Sequence, residues 1–321
     1  MVSNASESDN MATILSILPV ITTIVAVLFT YLLFRQWLRR KRIYQFVWFI
    51  SLILFAVTAA FEAMSEFIGW NVEIYRIYLV LSASQVALMG AGALYLILKK
   101  NVFSTKGLLV IDAIILAILV MFSWMMTLSS ITDYSALLFG AMDYPILGIG
   151  VYVILILLAF VYGRGKSDQE RKILHGHVYL IFTIIATLWM GAYAMTAPVD
   201  LAKFVPGIAV AGNAMAQYVR NFSPLMSVTG GILLIGGAFF SFLKTRFTFN
   251  LWIALGGIII SVAGAIARTG AAWGNILYIG EVIGVFLLYK GFVDSDRMIK
   301  AREERIQKED QPAEGETTEA S

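Results

Sequence analysis

Long, uninterrupted apolar runs alternate along this chain with short connections that hold most of its charge. A helix needs roughly 20 mostly apolar residues to cross about 30 Å of hydrocarbon. Nine stretches meet that requirement: Ala12–Phe34, Phe46–Ile68, Ile77–Leu98, Gly107–Leu128, Pro145–Gly163, Ile173–Thr196, Phe222–Leu243, Phe247–Ala267 and Asn275–Val293. The runs are continuous rather than alternating, and far longer than the roughly 10 residues of a barrel strand. The pattern therefore predicts an all-α fold, a polytopic transmembrane helix bundle of about nine spans.

Composition agrees. Of 321 residues, 59% are apolar and 14% charged, against about 25% charged in soluble domains. Mean hydropathy is +0.80, too apolar for a water-facing surface. The absence of cysteine excludes a disulfide scaffold.

Charge placement sets an expected orientation. Twenty of the 24 basic residues fall in one set of connections and in the C-terminal tail, beginning with Arg35 and Arg39–Arg42. Only Arg76, Lys203, Arg220 and Arg268 fall on the other side. Basic loops stay in the cytoplasm, so the N-terminus is expected outside and the C-terminus inside, in the plasma membrane. The acidic start, Glu7 and Asp9, with the basic cluster after the first run, suits an uncleaved span rather than a secretory signal. Residues 1–11 read as an extracellular tail and 12–293 as the bundle. Residues 294–309 read as a cytoplasmic helix and 310–321 as a polar, disordered tail.

Two spans align without a gap. Starting from Arg76 and Arg220, Gly92 falls on Gly236 and Tyr95 on Phe239. In the fifth and ninth spans, Ile146-Leu147-x-Ile149-Gly150 matches Ile276-Leu277-x-Ile279-Gly280. These matches suggest a parallel 4+4 internal repeat, with units 43–163 and 173–293.

Charge inside a span is costly and marks a place to look for function. Glu62 and Glu66 share a face of the second span, and Glu281 sits at similar depth in the ninth. Arg76, Arg220 and Arg268 stand at the outer ends of three other spans, so pairing with the acids is expected. Two readings stay open. The pairs lock helix ends, or they line an outer vestibule where Glu62 or Glu281 takes up a proton or cation and an arginine holds an anion. Small residues (Gly257 and Ser261; Gly280 and Gly284) mark close helix packing, and Tyr78, Ser82, Gln85, Met89 and Gly92 form a mildly polar stripe on the third span. The apolar outer segment 197–221, with Pro206 and Gly207, is expected to form a short interfacial helix or a re-entrant turn, lying as a lid.

Other chemistries lack their parts. His175 and His177, two apart on a helix, point in different directions, and no cysteine is present to complete a site. No cofactor or metal is expected. Asp112 is expected to meet a lysine or arginine. No phosphate-cradling glycine loop or serine–histidine arrangement occurs, and the basic run Arg39–Arg42 suits topology and anionic lipid rather than nucleic acid.

A basic run at Arg39–Arg42, Trp48 in the next span, a Gly69-Trp70 outer turn and Arg76 between Tyr75 and Tyr78 make the first third resemble a group of bacterial and archaeal multi-span proteins with no assigned activity. The resemblance implies a membrane fold and nothing about chemistry. From the residues, the leading expectation is a small-molecule or ion carrier. The alternative is a non-catalytic membrane subunit or sensor, meeting a membrane partner or a second copy. An intramembrane enzyme acting on lipid ranks third.

Overall fold

The computed structural model describes residues 2–99, 105–130, 143–204, 214–267 and 275–309. Within them the chain is all-α, apart from a single bridge between Val199 and Met215. The helices are α1 (Val2–Arg40), α2 (Ile43–Ile68), α3 (Val72–Lys99), α4 (Thr105–Ser130), α5 (Asp143–Tyr162) and α6 (Asp168–Thr196). After a 3-10 turn at Leu201–Lys203 come α7 (Gln217–Arg220), α8 (Phe222–Thr245), α9 (Thr248–Ala267) and α10 (Ile276–Glu309).

Among the described residues seven helices are long and apolar enough to cross a membrane: α1, α2, α3, α6, α8 with α7 leading into it, α9 and α10. The chain is a multi-pass membrane protein. In α4 and α5, which cover the expected fourth and fifth spans, the residues whose side chains are described include the apolar stretches Leu109–Met121 and Gly148–Tyr162. The first helix begins at Val2, upstream of the expected start at Ala12, and α10 joins the last span to the expected cytoplasmic helix without a break.

Local chemistry explains the ends. Gly69, at φ 76°, where residues with a β-carbon are rarely found, closes α2 by donating its N–H to Ser65 O at 3.0 Å. At the start of α6, Glu170 N–H donates to Ser167 Oγ and Ser167 N–H donates to Glu170 Oε2 at 2.9 Å. Two orphan donors of the first turn are satisfied reciprocally.

Lipid tails are as apolar as leucine, so helices associate in a bilayer through close contact and hydrogen bonds. Glycines supply that contact here. A β-carbon on Gly90 of α3 would run into the backbone of Gly230 of α8, and one on Gly230 would meet Val86 and Ala87. On α9 and α10, Gly256 and Gly284 abut each other's carbonyls, while Gly280 fits over Ala263.

The neighbour relations close a ring: α1 on α2, α2 on α3, α3 on α8, α8 on α9, α9 on α10 and α10 back on α1. Outside it α6 packs against α3, and α5 and α4 against α6. Asp112 of α4 ties this outer group together. Its carboxyl accepts from Tyr152 Oη of α5 at 3.1 Å and lies 2.5 Å from His175 Nδ1 of α6. The expected lysine or arginine partner is thus replaced by a histidine and a tyrosine, because α5 and α6, rather than a basic loop, flank Asp112.

Candidate functional site

Glu62 and Glu66 lie one helical turn apart on α2, on the face toward α3 and α10. Tyr278 and Glu281 lie three apart on α10 and face back. On α3, Tyr78 completes the group. The Tyr78 hydroxyl donates to Glu62 Oε1 at 2.6 Å, and the Tyr278 hydroxyl donates to Glu66 Oε1 at 2.8 Å. The Glu62 and Glu281 carboxyl groups lie within hydrogen-bond reach of each other. Their relative exposures are 2% and 8%.

The second oxygens of this pair decide its chemistry. Glu62 Oε2 and Glu281 Oε2 are buried and, among the described residues, receive no hydrogen bond from an N–H or O–H. Among the described residues no ion pair joins a lysine or arginine to Glu62, Glu66 or Glu281. A hydrogen bond between two carboxyl groups requires a proton on one of them, since an ionised carboxylate only accepts.

For Arg76 and Arg220 the structure shows other partners than the expected acids. Arg76 lies two residues before Tyr78, about 200° around the helix, so it points away from Glu62. It pairs with Glu73 at 3.3 Å and donates to Ala197 O at 2.9 Å. Arg220, on α7, donates to Gln217. Arg268 lies outside the described residues. Of the six predicted site residues, Glu62, Glu66 and Glu281 come together, while Arg76 and Arg220 brace the outer connections.

Below the acids, α2 is stitched to α3. The Thr58 hydroxyl donates to Gln85 Oε1 at 3.0 Å, Ser51 Oγ to Gln85 O at 2.6 Å, and Trp48 Nε1 to Met89 O at 3.0 Å. The polar stripe predicted on the third span is the seam with α2, where Gly92 gives the Trp48 ring its room. Beside this seam a cavity of about 50 Å³ opens between five helices of the ring, its wall apolar except at Gln85 and Ser261. Glu281 stands one turn from the cavity residue Val285, and Glu62 two turns from Phe55. The volume exceeds the roughly 15 Å³ a water needs, but a water also needs polar partners that most of this wall lacks.

On the opposite side, the group is covered by rings. Trp70 packs on Tyr78 with centroids 5.0 Å apart, and Phe204 packs edge-on to Tyr75 at 5.1 Å. The described parts of the outer segment lie across them, held by the Val199–Met215 bridge and by Asp200 N–H donating to Ala214 O at 2.8 Å. The helix expected from Pro206 is seen only from Gln217 to Arg220, and residues 205–213 lie outside the described residues.

The tyrosines are what sequence reading missed. Tyr278 carried a signal, standing one turn before Glu281, but nothing in the sequence indicated that α10 would face α2. Elsewhere His177 Nδ1 bonds Ile173 O at 2.7 Å within its own helix, while His175 holds Asp112. Among the described residues no three histidine, aspartate or glutamate side chains converge on a metal position.

No family model, curated protein or solved structure matches this chain.

Proposed function

We propose that this protein is a small-molecule or ion carrier in which the Glu62–Glu281 pair takes up and releases the coupling proton or cation. One observation supports the reading above the rest: two carboxyl groups buried close together between α2 and α10, with no arginine or lysine on them among the described residues. Such a contact is stable with one proton shared and strained with none, because two negative charges at hydrogen-bond distance in a low-dielectric interior repel strongly. Loss of that proton, or its exchange for another cation, would force α2 and α10 apart. Substrate-linked opening of the ring would use that force.

In this reading α4 and α5 are the two remaining spans of a nine-span bundle. The N-terminus lies outside, the C-terminus in the cytoplasm, and the membrane is the plasma membrane. The 4+4 repeat belongs to the same proposal. Its support is that α3 and α8, the two helices that align from Arg76 and Arg220, pack directly on each other. In this reading the rings over Tyr78 cover a vestibule in its closed form.

The test uses purified protein in liposomes loaded with a pH-sensitive dye, with a potassium diffusion potential to drive uptake. The expected result is proton flux in wild type that falls at least tenfold in Glu281→Gln. Equal flux in both would remove the pair from any transport role. The alternative, a membrane subunit or sensor, draws on the extension of α10, which is exposed from Lys300 to Ile306. A partner retained by the full chain and lost when residues 297–321 are deleted, with no flux in either form, would favour it.

A further inference from the structure

A second charged cluster, independent of the carboxyl pair, lies where the C-terminal end of α1 meets the extension of α10. Asp296 is buried there, and three cations converge on it: Arg39 Nη2 at 3.2 Å, Arg40 Nη2 at 3.1 Å and Lys300 Nζ at 3.0 Å. One carboxylate balances one of them, so the cluster keeps a surplus of two positive charges. Arg39 and Lys300 are nearly half exposed, which leaves their remaining N–H groups open to a ligand. Arg42 and Arg297 are exposed at the same end.

A buried donor points the same way. Gln36 precedes Arg40 by one turn on the face of α1 that meets α10, and it is 5% exposed. Its Nε2 has no acceptor among the described residues. A buried amide donor without a partner costs stability, which an anion reaching into the cleft would recover. The surroundings suit a bilayer interface. Lys41 lies over the Trp37 ring at 4.5 Å and Arg35 over Tyr31 at 5.9 Å, the cation–aromatic arrangement of a headgroup layer. Leu28 and Leu38 on α1 are exposed beside it.

We propose that the cleft between the ends of α1 and α10 binds a phosphate oxyanion, held by Arg39 and Lys300 at its mouth and reached by the Gln36 amide from within. Guanidinium and ammonium groups favour phosphate oxygens. The exposed leucines and the ringed cations beside the cleft favour the phosphate of an anionic phospholipid over a dissolved one.

The test is thermal unfolding of the full chain in nanodiscs of phosphatidylcholine, with and without phosphatidylglycerol, plus an arm with inorganic phosphate in phosphatidylcholine alone. Phosphatidylglycerol should raise the midpoint of wild type and of Arg164→Gln, a basic control at a distant loop. The double variant Arg39→Gln/Lys300→Gln should lose more than half of that rise, matching an affinity about thirtyfold weaker for two basic residues removed. A similar rise with inorganic phosphate alone would keep the oxyanion site and assign it to a soluble ligand. A full rise in the double variant, or none in wild type, would overturn the proposal. Should the double variant fail to fold, native mass spectrometry of wild type decides: preferential retention of phosphatidylglycerol supports the site, and equal retention of both lipids overturns it.

Discussion

The Tyr278 hydroxyl donates to Glu66 Oε1 at 2.8 Å, joining the start of the last helix to the end of the second. One turn further along α10 and one turn back along α2, Glu281 meets Glu62. Two contacts in succession fix the register of α10 against α2, although the ring closes mainly through α1 and α9. The acids thus form an inner seam between α2 and α10, and the proposed dependence of that seam on a shared proton can be tested.

Glu281→Gln replaces the shared proton with an amide that donates to Glu62 permanently. Stability should hold or rise, within about 1 kcal/mol of wild type, while proton exchange at the pair disappears. Thermal unfolding and dye-reported flux in liposomes measure the two effects separately. A large loss of stability would mean that Glu281 holds the fold through contacts other than Glu62.

Tyr278→Phe removes one hydrogen bond and keeps the ring. Hydrogen bonds between membrane helices average about 0.6 kcal/mol, with a maximum near 1.7. A bond to a carboxyl group should sit toward the upper end, so a loss of about 1–1.5 kcal/mol is expected in reversible unfolding. Tyr78→Phe should cost as much and should also alter flux, because it strips the donor from Glu62 itself.

Gly90→Ala and Gly230→Ala should each destabilise by about 1–3 kcal/mol, since a β-carbon at either site meets backbone that cannot step aside. Gly236→Ala is the contrast. Nothing lies within 4 Å of its β-carbon position, and alanine is the better helix former by about 1 kcal/mol, so that variant should be neutral or more stable. Melting temperatures in one detergent compare all three.

Asp296→Asn should have opposite effects on two measurements. It removes the acid that gathers Arg39, Arg40 and Lys300, loosening α1 from α10 and lowering the melting temperature in phosphatidylcholine. It also raises the surplus positive charge, so the gain on adding phosphatidylglycerol should exceed that of wild type. A gain equal to wild type would argue that this charge does not face the headgroups.

The helices were legible in the sequence because a bilayer leaves the backbone little choice: an apolar run of this length must satisfy its own hydrogen bonds. The depth of Glu62 and Glu281 was legible for the same reason, as position along a span converts directly to depth. Partnership was not, because it depends on how each helix is rotated and which helices become neighbours. Arg76 and Tyr78 illustrate this. Both stand at the right level for Glu62, and two residues of helical turn give the contact to the tyrosine. Asp112 illustrates the neighbour problem. Its surroundings are set by α5 and α6, and nothing in the local sequence around it specifies a histidine partner. The glycine at position 90 drew no notice as a lone residue, since only the approach of α8 gives it meaning.

That approach also constrains how the bundle can move. Where Gly90 and Gly230 touch, main chain lies on main chain with no side chains between to deform. Sliding one helix along the other would bring bulkier neighbours into a gap made for hydrogen atoms, whereas tilting about the point of contact leaves the gap intact. The crossing is a fulcrum, and motion there is confined to rocking.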